Sequence, residues 1–270
     1  MFEVTSILIV LGVVLGSFLN VCIYRIPRGL SIVSISSFCP SCKRHLKWHE
    51  IIPILSFVVF KGKCPRCFVR IPTFYAVNEV LVGAIVLILF LSYGPTGDYL
   101  YAISFITLMI LIAEIDRNHF LIPNKIILVG FLMGMILNIV LYSPDMLNHL
   151  LSSVLGLCTM ICVMYGGNWV FKKQTMGMGD VKLAGLVGLF LGFQNLLIAF
   201  WLATILGSVY GWSLKIRARN RVKVDSGIKQ YNSPDLKLPF GSFVAITASI
   251  VLVFQKQINI ALESWLIWLQ

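Results

Sequence analysis

Two sets of side chains in this sequence could do chemistry. The first is a pair of carboxylates at the edges of apolar runs: Asp116 in Glu114-Ile115-Asp116-Arg117, with Ile122-Pro123-Asn124 following, and Asp180 in Gly177-Met178-Gly179-Asp180-Val181-Lys182. With 11 acidic residues in the whole chain, an ionised carboxylate beside a hydrophobic segment carries information, because burying one costs several kcal/mol. If the two meet, they cannot both ionise cheaply; they share a proton and become an acid and a base in one site. The ionised member can then take a proton from water as it attacks a peptide carbonyl, while the protonated member hydrogen-bonds the carbonyl oxygen, which is aspartic-protease chemistry. Gly177 and Gly179 permit tight backbone approach beside Asp180. The bland alternative is that each aspartate caps a helix or pairs with Arg117 or Lys182. Glu114 lies ~200° round a helix from Asp116 and reads as an accessory polar group.

The second set is Cys39-Pro40-Ser41-Cys42 and Cys64-Pro65-Arg66-Cys67, two turns of one form separated by 21 residues. Each Cys-x-x-Cys turn presents two sulfurs to one ion, so Cys39, Cys42, Cys64 and Cys67 read as a tetrahedral structural zinc site. A closed four-sulfur shell leaves no position for water, so the metal folds the segment rather than reacting. Redox disulfides or unrelated thiols are the competing readings, and His45 or His49 could displace one cysteine. Cys22, Cys158 and Cys162 lie in apolar stretches, so a secreted disulfide framework is excluded.

The elements that must position these groups are set by composition. The 270 residues are 58% apolar and 12% charged, with a mean hydropathy of +0.89, too little polar surface to cover a soluble globule. A spanning helix needs about 20 mostly apolar residues. About eight segments qualify, near 4–24, 74–93, 99–115, 126–142, 149–171, 181–193, 195–214 and 240–258, the sixth short enough to be read instead as a re-entrant hairpin. The first reads as a true span rather than a signal peptide, since Glu3 replaces a basic start and no small-residue cleavage site follows. The formal charge of +11 is clustered, which points to one wet face and not to nucleic-acid binding. Nine basic residues between Arg25 and Thr73, against Glu50 alone, place that segment in the cytoplasm. Alternation then returns Arg117, Lys125, Lys172, Lys173, Lys182 and the stretch from Lys215 to Lys237 to the same side, with both termini outside. Gln255 to Gln270 reads as an interfacial amphipathic helix. No internal repeat or low-complexity tract is apparent.

Taken together, these residues resemble the type IV prepilin peptidases, membrane enzymes that cleave the leader from prepilins and pseudopilins and N-methylate the new amino terminus. Gly16-Ser17-Phe18-Leu19-Asn20-Val21-Cys22-Ile23-Tyr24-Arg25-Ile26-Pro27 looks like the family's amino-terminal signature, followed by its double Cys-x-x-Cys insert. Asp116 with Ile122-Pro123-Asn124, then Gly177 to Leu183 including Lys182, look like the two aspartate motifs, and Leu238-Pro239-Phe240-Gly241 resembles the segment before the last span. The resemblance implies that Asp116 and Asp180 are the protease pair and that S-adenosylmethionine is a cosubstrate. One departure bears on methylation: where the family shows Arg-Tyr-Pro and then Glu, this chain has Phe74, Tyr75, Ala76 and Glu79. The resemblance makes Glu79 a methyltransferase residue; pairing with Arg70 on a helix is the alternative. No glycine-rich nucleotide loop marks the cofactor site.

The expectation is therefore an all-helical polytopic enzyme of the cytoplasmic membrane. Residues 1–24 form the first span, 25–73 the zinc-binding insert, 74–258 a seven-helix protease body and 259–270 an interfacial tail. A cleavage-only preflagellin-type peptidase and a non-catalytic zinc-dependent scaffold or transporter are the competing functions.

Overall fold

The computed structural model describes residues 2–33, 37–172, 176–224 and 238–268. Lys173, the basic residues between 225 and 237 and the last two residues of the tail lie outside that description. Ten α-helices form among the described residues, with no β-strand beyond two isolated bridges. The chain divides into two compact units, 1–103 and 104–270.

In the first unit, α1 (Phe2–Arg25) packs along α3 (Phe74–Tyr93). Glycine spacing brings the two backbones together: a Cβ at Gly16 would lie 2.8 Å from the Glu79 Cα, and one at Gly12 would lie 2.8 Å from the Gly83 Cα. Small residues one turn apart are what permit such contact where lipid supplies no hydrophobic drive. The seam is also pinned by polar groups. Asn78 Nδ2 donates to Asn20 Oδ1 at 2.8 Å, and Asn20 Nδ2 donates to the Tyr75 carbonyl at 3.0 Å. Helix Phe74–Tyr93, grouped with the body on the sequence, thus lies against the first helix. Between them the described residues of the insert form the five-residue α2 (Leu55–Val59) and two single 3₁₀ turns.

The second unit receives α4 (Gly97–His119) from the first and continues through α5 (Asn124–Leu141), α6 (Met146–Phe171), α7 (Met178–Leu191), α8 (Phe193–Val224), α9 (Phe240–Val253) and α10 (Gln255–Trp268). Its centre is α7, apolar all round and buried at every position but one from Val181 to Leu191, where α5, α6, α8 and α9 surround it. Gly188 admits α6: a Cβ there would stand 2.6 Å from the Ser152 carbonyl oxygen. The last carbonyls of α7 find partners. The Leu189 oxygen accepts from Asn138 Nδ2 at 3.2 Å and lies 3.1 Å from His149 Nδ1, and the Leu191 oxygen accepts from Asn195 Nδ2 at 3.2 Å. Gly192, at φ +77°, then turns the chain into α8.

This is a multi-pass membrane protein. Among the described residues, six helices are long and apolar enough to cross a bilayer: Glu3–Arg28, Phe74–Tyr93, Gly97–His119, Asn124–Leu141, Met146–Phe171 and Phe193–Ile216. The two other apolar segments expected from the sequence form α7 and α9, each of 14 residues and therefore ~21 Å long, against a hydrocarbon core of ~30 Å. Outward faces are aliphatic, as lipid requires: on α5, Leu128, Val129, Leu132, Ile136 and Val140 are exposed, while Ile126, Gly130, Gly134, Leu137 and Asn138 are buried. The last apolar run stops at Phe254, and α10 restarts at Gln255.

Candidate active site and metal-binding cluster

Asp116 sits near the end of α4, 6% exposed. Its Oδ2 accepts the Ser242 N–H at 2.8 Å, and the Ser242 hydroxyl, 3.2 Å from the same oxygen, reaches the Ala113 carbonyl at 2.7 Å. The geometry has a local origin. Pro239 precedes α9 and Ser242 is the third residue of its first turn, where an N–H lacks the usual acceptor four residues back; it makes only a long 3.2 Å contact to the Pro239 carbonyl and is free to share itself with an acceptor from outside. A carboxylate from a helix 126 residues away in sequence supplies the acceptor at the positive end of the helix dipole. Gly241 makes room for it: a Cβ would lie 3.0 Å from Asp116 Oδ2 and 2.8 Å from Ile122 Cδ1.

Ile122 in turn links this carboxylate to the second. A Cβ at Gly179 would lie 3.0 Å from the Ile122 Cβ, and Asp180 is the next residue, in the first turn of α7. Gly241, which touches Asp116, and Gly179, which precedes Asp180, are therefore packed on one isoleucine, where the C-terminal turn of α4 meets the N-terminal turns of α7 and α9. Burial, and then the nearby Asp116 charge, push the Asp180 carboxyl up to about 7, against an opposing hydrogen bond from the Gly177 backbone. Two carboxyl groups with one proton between them are competent as an acid and a base.

The supporting residues separate into two groups. Lys182 Nζ donates to Asn124 Oδ1 at 2.8 Å, tying the start of α7 to the start of α5, for which Pro123 is the N-terminal flanking residue. Gly179 is needed for the close approach to Ile122, whereas a Cβ at Gly177 would meet nothing closer than the Asp180 carboxylate at 3.8 Å. Glu114 turns elsewhere, with Oε1 3.7 Å from Arg117. Ser242 escaped the reading of the sequence. The signal available was its place just past Pro239-Phe240-Gly241, in the turn where a helix leaves N–H groups unpaired.

The four cysteines converge in the first unit. All four Sγ atoms lie within 4.8 Å of one another, and they could hold a metal ion. The two turns repeat one backbone design. The Lys43 N–H donates to the Cys39 carbonyl and the Cys39 N–H to the Arg44 carbonyl; Phe68, Cys64 and Val69 do the same in the second turn. Lys43 and Phe68 occupy equivalent left-handed positions at φ +58° and +56°. Sulfurs held at ~2.3 Å by a tetrahedral zinc would be ~3.8 Å apart. Cys39 Sγ and Cys67 Sγ, one from each turn, are 3.8 Å apart. N–H groups of Cys67 and Arg66 aimed at Cys64 draw its thiol down to about 6, towards the thiolate that a metal binds. Arg44 braces the first turn through Glu50, with NH2 2.8 Å and 2.9 Å from the two carboxylate oxygens.

Glu79 is 8% exposed on α3, and its Oε2 accepts the Ile54 N–H at 2.8 Å. Arg70, the partner weighed on the sequence, is not the group it holds.

Residues 103–212 match the type IV leader peptidase family, and residues 10–93 match the bacterial peptidase A24 N-terminal domain. A "prepilin leader peptidase/N-methyltransferase" of Bacillus subtilis is 34% identical over 79% of this chain and 84% of its own length. The chain belongs to the type IV leader peptidase family. Relatives of the same name from Myxococcus xanthus and Pseudomonas putida are 33% and 28% identical over 76% and 92% of this chain. This chain covers 61% of the Myxococcus relative and 90% of the Pseudomonas one. No solved structure matches it significantly. Both aspartates fall inside the leader-peptidase match and all four cysteines inside the N-terminal match; Gly241 and Ser242 lie beyond either.

Proposed function

We propose that this protein is an aspartic endopeptidase of the cytoplasmic membrane that removes the leader of type IV prepilins or pseudopilins and N-methylates the new amino terminus. The observation that carries the reading is that Asp180 lies close enough to Asp116 to feel its charge, with Gly179 and Gly241 beside them packed on Ile122, in a helical unit matched by the leader-peptidase family. Asp116, whose Oδ2 already accepts an N–H, acts as the base that takes a proton from the attacking water. Asp180, neutral up to about pH 7, donates to the oxygen of the scissile carbonyl as negative charge develops there. Proton transfer from Asp180 to the leaving amine, with Asp116 giving its proton back through the pair, completes the hydrolysis. The substrate's apolar segment stays in lipid and its short charged leader in the cytoplasm, which is why the pair belongs at a water boundary.

Sidedness rests on charge. The basic insert faces the cytoplasm with the aspartate mouth, and both termini face outward. Cys39, Cys42, Cys64 and Cys67 hold structural zinc, which folds an insert too poor in buried apolar side chains to fold by its core. Methylation is supported by the relatives' names and by Glu79, a buried carboxylate within the N-terminal match. Purified protein in detergent, given a prepilin, is expected to release the leader and leave a mature chain one methyl heavier by mass spectrometry. A mature chain of unmethylated mass identifies a cleavage-only enzyme, and an uncut prepilin removes the peptidase reading.

A further inference from the structure

The short helix of the insert carries an aliphatic face that the described residues leave largely uncovered. Leu55, Val58 and Val59 stand at positions i, i+3 and i+4 of α2, one side of the helix, and are 61%, 66% and 68% exposed. Its other side is committed. Ser56 and Phe57 line the interior of the first unit, and a Cβ at Gly62 would lie 2.8 Å from the Phe57 ring. The helix cannot roll to hide its aliphatic side chains without unseating that ring. Phe68, at the tip of the second cysteine turn, is also exposed.

The level at which this face stands is set by α3. That helix has 20 residues and is therefore ~30 Å long, the thickness of the hydrocarbon core, so Phe74 starts it at the lipid boundary. Glu79 is five residues further in, ~7.5 Å along the axis. Helix side chains lean back towards the N-terminus, which puts its carboxylate between those two levels. Oε2 accepts the Ile54 N–H at 2.8 Å, and Ile54 immediately precedes Leu55. The start of α2 is thus tied beside the first turns of a membrane-spanning helix. That is the layer, ~5–10 Å deep, in which an amphipathic segment buries its apolar side.

Charge points to the same surroundings. From Ile51 to Asn78 the chain has Lys61, Lys63, Arg66 and Arg70 and no acidic residue. Lys63 and Arg70 pair across an isolated antiparallel bridge, so two like charges are held opposite each other, an arrangement that an anionic surface relieves.

We propose that α2 and the second cysteine turn form a lipid-docking surface, in which Leu55, Val58 and Val59 enter the acyl boundary of the leaflet on the insert's side and the four basic residues hold anionic headgroups. By fixing the turn that carries Arg66 and Phe68, the cysteine cluster also sets how the insert meets the bilayer.

The test is photocrosslinking of the full chain in nanodiscs of phosphatidylcholine with about a quarter phosphatidylglycerol, adducts being identified by mass spectrometry. Benzoylphenylalanine replaces Val58 or, in a second variant, Val59; Val129, on the exposed aliphatic side of α5, is the reference position. Lipid adducts are expected at one or both insert positions at no less than about a fifth of the Val129 yield, with phosphatidylglycerol enriched at least about twofold over its share of the bilayer. Lys61→Gln combined with Arg66→Gln is expected to remove at least about half of that enrichment. Unfolding temperature and bound metal show that each variant is folded. A yield below about a fifth at both positions, or adducts chiefly to a second copy, to residues 104–270 of the same chain or to an added prepilin, overturns the docking surface. Absence of enrichment, or enrichment unchanged in the double variant, overturns the role of the basic residues and leaves the apolar contact standing.

Discussion

Replacing Asp180 by asparagine should make the protein more stable at neutral pH, although it removes a residue proposed to be essential. The folded carboxyl is held up at about 7, whereas an unfolded aspartate ionises near 3.9. A raised pKa means that the folded state binds more protons in the interval between these values. Stability is fully present below the unfolded pKa and is lost as pH rises towards the folded one. The slope is about 1.4 kcal/mol per pH unit and falls off close to the folded pKa, so between pH 5 and pH 7 the wild type should lose roughly 2 kcal/mol, on the order of 4–8 °C in unfolding temperature. Thermal unfolding in detergent, followed by tryptophan fluorescence at pH 5, 6, 7 and 8, reads the effect. Asp180→Asn should flatten most of the wild-type decline and exceed the wild type at pH 7 and above. A variant as pH-dependent as the wild type, or less stable than it at pH 8, would refute the claim that Asp180 is held protonated.

Two further outcomes follow from packing and from the cysteines. Gly188→Ala places a methyl group 2.6 Å from the Ser152 carbonyl oxygen, so α6 and α7 must separate; a loss of about 1–3 kcal/mol in unfolding stability is expected, and an unchanged unfolding temperature would contradict the observed contact. Cys39→Ser should lower bound zinc from about one per chain and expose the insert to limited proteolysis, with the helices intact by circular dichroism. Full metal content in that variant would mean that the four sulfurs do not form the site.

How much of this was legible in the sequence depended on the range of the interaction. Apolar runs located the helices because a bilayer imposes length and composition locally. The Cys-x-x-Cys spacing found the cluster because each turn is built from its own few residues. Partnership was harder to see. That Phe74–Tyr93 lies on α1 depends on Gly12, Gly16 and Gly83 facing one another, and no periodicity within either helix encodes the match. Ser242 meets Asp116 only because tertiary packing brings a weakly held first-turn N–H, 3.2 Å from the Pro239 carbonyl, to a distant carboxylate. Glu79 stands in a motif that the sequence shows, but its hydrogen bond to the Ile54 N–H could not be read from residues 25 positions apart. The short sixth segment was visible as short; its burial by four helices, with Asn138, His149 and Asn195 meeting its last carbonyls, was not.

The most direct measurement is single-turnover leader release by Asp116→Asn, Asp180→Asn and the double variant, with folding checked by unfolding temperature. Two carboxyls acting as one acid–base unit predict that each single change slows release by at least about a thousandfold, and that the double change is scarcely slower than either single one. Release within about tenfold of wild type in one single variant, or losses that multiply in the double variant, would contradict a shared site.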